Sequence, residues 1–304
     1  MGSRYGKIKS KSHVATFAVA LLLLVSSSML VLTRDSPEEP ESTAPTENSI
    51  IPNEHPDELL IEPDEPEAEE EADTKDLPIF NATSLDSVIS QWESQQTGKA
   101  SVVALTEDGD ILASINGEDE YFSASIYKLY VAYFGYQQVY DGVVDPSEMH
   151  VNGHTRAECL DLMIRESDSP CAEKLWGEIG QQTVVDRLID LGITNTTKGG
   201  LRTTAHDAAV MMAYMSRGEG LDTESHARFL ESAKSQIYRN ALNKGFSDNI
   251  TVYNKIGFRE QSEYHDVAIV ELADGRRFVL SVFTDGVGSS NIADLGRRVE
   301  SVIL

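Results

Sequence analysis

Hydrophobic residues recur at helical spacing near the start of the folded part of the chain and then give way to β-rich runs. Between residues 83 and 96 the apolar side chains share one helical face. The runs at 101–105 and 111–115 are aliphatic and flank an Asp108-Gly109 pair. Asp-Gly between two such runs is typical of a β-hairpin. The pattern therefore predicts a helix followed by a hairpin.

Three further β-rich runs lie near the C-terminus, at 250–258, 265–270 and 277–283, and a helical pattern from 291 to 303 follows them. Strands are therefore predicted at both ends of the domain.

The region between the hairpin and the last three strands reads as helical. Thr155 and Glu158 have the spacing of a capping box, and Thr204 is a suitable N-cap. The predicted helices cover 125–141, 156–166, 171–179, 184–191, 205–215, 221–235 and 237–242. Strands at both ends of the domain and helices between them predict the α/β (α+β) fold class.

Residues 14–33 form an apolar run close to the ~20 residues that a membrane-spanning helix needs. Basic side chains dominate residues 1–13, and acids follow residue 34, so we expect a cytoplasmic N-terminus and a single-pass anchor in the cell membrane. A cleaved signal peptide is the alternative, but its apolar core is usually only ~7–15 residues long. No clear Ala-x-Ala cleavage site follows.

Acidic residues and proline dominate the next segment, residues 34–78. Seventeen Asp or Glu stand against the single Lys75 between positions 35 and 76. Such a segment cannot bury enough apolar surface to fold, so it is predicted to be an extended, disordered linker. The net charge of −25 argues against nucleic acid as a partner. The folded domain is expected to span residues 79–304 and to lie outside the cytoplasm.

Ser125 and Lys128 lie three residues apart at the start of the most apolar predicted helix. On a helix this spacing places the hydroxyl and the amine on one face. A serine hydroxyl needs a nearby base to act as a nucleophile, and a partly desolvated lysine loses affinity for its proton. The pair is a candidate nucleophile and base, although a capped, buried helix start also explains it.

A second candidate segment is the turn Ser167-Asp168-Ser169, followed by Pro170 at the start of a helix. Cys159 and Cys171 lie on the two predicted helices beside this turn. Outside the cell these cysteines are candidates for a disulfide that braces Ser167. Two buried, unpaired thiols are the alternative.

A third segment, Lys255-Ile256-Gly257, lies on a predicted strand. Together, in this order, the three segments resemble the Ser-x-x-Lys, Ser-Asp-Asn and Lys-Thr-Gly motifs of class A β-lactamases and penicillin-binding proteins. Among the histidines, His206 and His265 lie near the predicted cleft, and the sequence shows no metal-binding partners for either. The resemblance implies an antiparallel sheet built from both chain ends and flanked by helices, plus a helical subdomain that holds Ser167. It implies neither a metal nor an organic cofactor.

The resemblance also implies a role for each motif residue. Ser125 would be the nucleophile, Lys128 its base, and Ser167 a proton relay to the leaving nitrogen. The backbone N–H groups of Ser125 and Phe258 would form the oxyanion hole. Substrate contacts would come from the remaining motif residues, Ser169, Lys255 and Gly257.

Three departures from the family pattern stand out. Ser169 replaces asparagine, and Ile256 replaces threonine or serine. Between Gly192 and Gly218 there is no glutamate to activate the water that releases the acyl group. We therefore expect a serine hydrolase that cleaves β-lactams, or related amides of peptidoglycan stem peptides, with slow deacylation. The alternatives are a D-alanyl-D-alanine peptidase-like penicillin-binding protein and a non-catalytic wall-binding domain.

Overall fold

A computed structural model of the chain describes residues 81–259 and 262–303. The predicted cytoplasmic segment, membrane anchor and acidic linker (1–13, 14–33 and 34–78) lie outside the described residues. Within the part of the chain that is described, no helix combines the length and the apolar character needed to cross a membrane.

The described residues form helices and strands in the following order: α1 Ala82–Glu93, β1 Lys99–Thr106, β2 Ile111–Ile115, β3 Tyr121–Phe122, a 3-10 turn Ala124–Ile126, α2 Tyr127–Tyr140, β4 Met149–Val151, β5 His154–Thr155, α3 Arg156–Arg165, α4 Ser169–Ile179, α5 Gln181–Asp190, a second 3-10 turn Lys198–Gly200, β6 Arg202–Thr203, α6 Ala205–Arg217, α7 Thr223–Lys234, α8 Leu242–Gly245, β7 Thr251–Phe258, β8 Glu263–Glu271, β9 Arg277–Asp285 and α9 Ser289–Ile303.

The main sheet has five antiparallel strands in the order β2-β1-β9-β8-β7. The N-terminal hairpin therefore pairs with the C-terminal strand β9, which joins the two ends of the domain. Strand β7 lies at an edge, with Gly257 opposite His265. This arrangement confirms the predicted antiparallel sheet built from both chain ends.

Alternate residues of the central strands pack into two separate cores, as the pleat of a sheet requires. Val103 and Ile269 belong to the core shared with α2, α3, α4 and α6. Val102 and Val270, their immediate neighbours in sequence, belong to the core shared with α1, α8 and α9. Helices therefore cover both faces of the sheet, and the larger helical layer forms the predicted subdomain.

Local signals fixed several helix starts correctly. Thr155 and Glu158 form both hydrogen bonds of the capping box, and the Thr204 side chain caps α6 by accepting from the N–H of Asp207. The predicted helix at 237–242 is wrong, because a short helix forms only at Leu242–Gly245. Its first N–H donates to the carboxylate of Asp266 at 2.9 Å, a long-range contact that local pattern does not show.

Candidate active site

The segment that carries Ser125 is a tight turn held from three sides. Ser125 lies in the 3-10 turn directly before α2 and is half-buried. Ala124, just before it, has a left-handed φ of 46°, which costs a non-glycine residue about 1 kcal/mol. The N–H of Ser123 donates to the carbonyl of Leu201 at 3.0 Å, which ties the turn to the loop before α6.

His265, on β8, fixes the other side of this turn. Its Nδ1 accepts from the backbone N–H of Thr284, so the proton must be on Nε2, which donates to the carbonyl of Phe122 at 2.9 Å. Burial against the ring of Phe283 lowers the pKa of His265 to about 4. The neutral imidazole is therefore a fixed link between the sheet and the strand that leads to Ser125.

Lys128 occupies the first turn of α2 and is buried at 1 % exposure. Its Nζ donates to Ser169 Oγ at 3.0 Å, to the carbonyl of Ser167, and to Ser167 Oγ at 3.4 Å. Burial lowers the pKa of Lys128 to about 8, and the carboxylates of Asp168 and Glu173 oppose that shift. The amine can therefore hold or release a proton near neutral pH, as a catalytic base requires.

No hydrogen bond joins Lys128 to Ser125 among the contacts of the described residues. Both side chains border the same turn, and the amine is held by Ser167 and Ser169 instead. Catalytic hydrogen bonds are often long in a free enzyme and shorten only with substrate bound, so this geometry is compatible with the predicted pair.

Ser167 lies at the centre of the described contacts of this site. It lies between α3 and α4 and has a left-handed φ of 58°, which is unusual for a residue other than glycine. Its Oγ accepts from Lys255 Nζ at 2.9 Å and from Lys128 Nζ at 3.4 Å. Asp168 caps α4 by accepting from the N–H of Cys171 at 2.7 Å. The turn thus presents one hydroxyl to two amines.

A disulfide between Cys159 and Cys171 joins the helices on either side of this turn. Both cysteines are buried, and their Cα atoms lie 5.0 Å apart. The bridge ties the middle of α3 to the first turn of α4. It therefore restricts how far the helices can separate around Ser167.

Strand β7 supplies the second amine and packs closely against the serine turn. Lys255 is fully buried, and its pKa is lowered well below the usual value, first by burial and then by the positive charge of Lys128. A Cβ atom at Gly257 would lie 2.6 Å from the carbonyl oxygen of Ser123. Only glycine therefore permits this contact between the strand and the turn.

Backbone alternation gives the direction of the Phe258 N–H. The N–H of Arg259 donates to Glu263 on β8, so the N–H of Phe258, one residue earlier, points away from β8 at the open edge of the sheet. The carbonyl of Ile256 points the same way and accepts from Lys255 Nζ at 2.6 Å. This N–H therefore does not take part in the β7–β8 pairing, and its role in an oxyanion hole stays a prediction.

Comparison of the sequence with models of known protein families identifies the family of this chain. The model of the β-lactamase enzyme family matches residues 84–302, which is most of the chain. The chain belongs to this family. Its family membership and fold make it a serine β-lactamase-like hydrolase.

Solved structures of the β-lactamase family share the fold. PBP-A is 22 % identical, with a TM-score of 0.64 over 72 % of this chain and 95 % of its own. Its L158E variant, an acyl-enzyme complex with penicillin G, is 20 % identical, with a TM-score of 0.64 and coverage of 72 % and 95 %. The putative class A β-lactamase PenP from Rhodopseudomonas palustris is 18 % identical, with a TM-score of 0.66 and coverage of 72 % and 99 %. No curated protein matched the chain.

In this β-lactamase-family chain, a short loop leads to α6, in the region without glutamate. The indole N–H of Trp176 donates to the carbonyl of Gly199 at 2.8 Å, which holds the loop against α4. Asp207 accepts from the N–H of Asn195 and from the hydroxyl of Thr196, at 2.9 and 2.7 Å. These contacts hold the loop next to the crevice, which is the space between the first turn of α2, the Ser167 turn and β7. The loop itself places no carboxylate in that space.

Sequence reasoning missed two sets of partners. His206 Nδ1 lies 3.3 Å from a Glu118 oxygen and 3.9 Å from an Asp207 oxygen, a ligand-like group that only the fold assembles. Asp266, behind Lys255, is buried and accepts from Leu242 and Asn254. Neither set has a sequence signal, because Glu118 is distant in sequence from the adjacent His206 and Asp207, and Asp266 lies on a different element from Leu242 and Asn254.

Proposed function

We propose that this chain is a membrane-anchored, extracytoplasmic enzyme that attacks β-lactams through Ser125 and releases the acyl group slowly. The observation that carries the proposal is the convergence of two amines on one hydroxyl, with Lys128 and Lys255 both reaching Ser167 Oγ. Such an arrangement can move a proton from the nucleophile to a leaving nitrogen. The penicillin G acyl-enzyme of the PBP-A variant supports this chemistry in the same fold.

In the proposed acylation, neutral Lys128 takes the proton of Ser125 as Oγ bonds to the lactam carbonyl carbon. The N–H groups of Ser125 and Phe258 stabilise the oxyanion. As the carbon–nitrogen bond breaks, Ser167 gives its proton to the leaving nitrogen and is reprotonated from Lys128. Protonated Lys255 binds the substrate carboxylate, while Ser169 contributes a hydroxyl to the same wall.

A D-alanyl-D-alanine peptidase-like activity is the second candidate, and the loop before α6 favours it. That loop, between Gly192 and Thr204, offers no carboxylate to activate water. An enzyme without this base would be acylated by a β-lactam and stay modified for longer. A non-catalytic wall-binding domain is the third candidate, based on the shorter Ser169 and the apolar Ile256.

Incubation with penicillin G followed by intact-mass analysis and peptide mapping separates these candidates. We expect one adduct on Ser125 that decays slowly, and none in Ser125→Ala. Ser94→Ala, at the exposed end of α1, is the matched control and should be modified like the wild type. Rapid loss of the adduct would support an efficient β-lactamase, persistence would support a peptidase, and identical behaviour of wild type and Ser125→Ala would refute the proposal.

The proposed location rests on the apolar run at 14–33, the basic residues before it and the acidic ones after it. Fractionation of cells that express the full chain should place it with membranes, and an added protease should digest the domain from the outer side only. Deletion of residues 1–33 should leave the protein in the soluble fraction. Soluble full-length protein would contradict the anchor.

A further inference from the structure

A carboxylate that the motifs do not include lies on α4, beside the first turn of α2, rather than on the loop before α6. Ser169, Glu173 and Trp176 are spaced by four and three residues along α4, so they lie on one face of that helix. Ser169 Oγ accepts from Lys128 Nζ at 3.0 Å. Trp176 packs on the ring of Tyr127, with centroids 5.3 Å apart. Glu173 therefore lies between two contacts to the first turn of α2.

The surroundings of Glu173 agree with this placement. Its negative charge raises the pKa of Lys128 and that of Tyr127, so the carboxylate acts on both residues that begin α2. The other acid acting on Lys128 is Asp168, whose Oδ1 is already engaged in capping α4.

Glu173 is exposed, and no hydrogen bond or ion pair links it to any residue in the described ranges. An exposed glutamate on a helix is usually only solvated surface. Two observations set Glu173 apart from such a residue: its helical face meets Lys128, and the loop beside it brings no acid. A free carboxylate with access to water, next to the base of the nucleophile, has the properties that a water-activating group needs.

We propose that Glu173 is the general base for deacylation, an inference that rests on the acyl-Ser125 intermediate of the proposed function. Glu173 takes one proton from a water molecule while the water oxygen bonds to the ester carbonyl carbon. The bond from that carbon to Ser125 Oγ then breaks, and Oγ is protonated through Lys128, which receives the proton that Glu173 took from the water. Glu173 and Lys128 are thereby returned to their carboxylate and neutral amine forms, and the net reaction is hydrolysis of the ester.

The test compares acylation and adduct decay separately, by intact mass after rapid mixing with penicillin G. In Glu173→Gln we expect the acylation rate to stay within about threefold of wild type and the adduct lifetime to increase at least about tenfold, since general bases contribute ~10²–10⁴-fold. Asp248→Asn removes one exposed charge at the far end of β7 and should decay like the wild type.

Hydroxylamine distinguishes a base from a structural role. It is a strong neutral nucleophile that attacks esters without a general base, so it should release the adduct of Glu173→Gln and of wild type at similar rates. A variant with a distorted crevice would resist hydroxylamine as well, which would overturn the assignment. Equal lifetimes in wild type and Glu173→Gln would overturn it too while leaving the proposed function intact. The absence of any adduct in wild type would remove the proposed function itself and this inference with it.

Discussion

The two walls of the crevice each supply a buried lysine, but the lysines have different electrostatic surroundings. Lys128, on the helical wall, has two carboxylates acting on it, and burial lowers its pKa only to about 8. Lys255, on the sheet wall, is more deeply buried, and its opposing acid is Asp266. Asp266 is itself buried, with its pKa raised to about 7. The helical wall is suited to exchange a proton, whereas on the sheet wall the acid that opposes the shift of Lys255 is itself partly protonated near neutral pH.

This difference indicates which kind of substrate the crevice is built to receive. Two ammonium groups close to one hydroxyl repel each other, and the charge of Lys128 further lowers the pKa of Lys255. A carboxylate on the substrate would supply the missing negative charge and favour the protonated form of Lys255. Binding of an anionic substrate should therefore be linked to proton uptake, and its strength should depend on the sheet wall more than on the helical wall.

The largest effect is expected from removal of the helical-wall lysine. Lys128→Met should slow the acylation of Ser125 by about 10³-fold, because general-base catalysis contributes ~10²–10⁴-fold. In the wild type the rate of adduct formation should rise with pH and level off above about 8, as Lys128 loses its proton. Lys174→Met, an exposed lysine on α4, is the control. A Lys128→Met rate within tenfold of wild type would show that another group is the base.

Removal of the sheet-wall lysine should have a smaller and substrate-dependent effect. Lys255→Met should reduce the acylation efficiency of penicillin G by about 10–100-fold, the value of a charge-assisted hydrogen bond of ~1.5–3 kcal/mol. With the methyl ester of the same β-lactam, the acylation efficiency of Lys255→Met should differ from that of wild type by less than about threefold. Equal losses for the two substrates would contradict the carboxylate assignment.

The same variant should be more stable. Replacing a buried amine by an apolar side chain removes its desolvation cost, so urea unfolding should show a gain of about 1 kcal/mol. A loss of stability would mean that the contacts of Lys255 with Ser167 and Ile256 outweigh the cost of burying the amine.

The last effect is on the pH dependence of stability, and it concerns Asp266, the acid behind the sheet wall. Because burial raises the pKa of Asp266 from 3.8 to about 7, the folded state binds the proton more tightly than the unfolded state. This group's contribution to stability is therefore greatest at low pH and is lost as the pH rises towards about 7. From pH 5 to 7.5 the free energy of unfolding should fall by roughly 2 kcal/mol through this group.

Asp266→Asn should remove that fall, because an amide does not titrate in this range. Urea unfolding at the two pH values measures the difference, and Asp248→Asn controls for loss of a surface charge. An unchanged pH dependence in Asp266→Asn would mean that Asp266 is already ionised at pH 5.

The parts of the fold that depend on local chemistry were predictable from the sequence. The Asp108-Gly109 hairpin, the Thr155 capping box and the Thr204 cap all use neighbours within a few residues. The helix expected at 237–242 failed because Ile237 and Tyr238 are exposed, and α8 begins where Asp266 accepts from Leu242. That acceptor comes from a strand that is distant in sequence.

In the candidate site, too, features that depend on local sequence were predictable and features that depend on long-range packing were not. The motif residues could be named from their order, and the structure brings Lys128, Ser167, Ser169 and Lys255 together. Their catalytic roles remain predictions. The link from His265 to Phe122 depends on strand register. The place of Glu173 depends on how α4 packs against α2. No sequence motif indicates either the contact of His265 with Phe122 or the position of Glu173.

The disulfide beside Ser167 has a practical consequence for preparing and placing this enzyme. Protein made in a reducing cytosol would keep its nucleophile and both amines, yet the helices around the relay serine would lack their covalent tie. Two preparations of identical sequence could then differ in how well the crevice is ordered. The oxidation history of a sample therefore belongs among the variables of any assay of this protein.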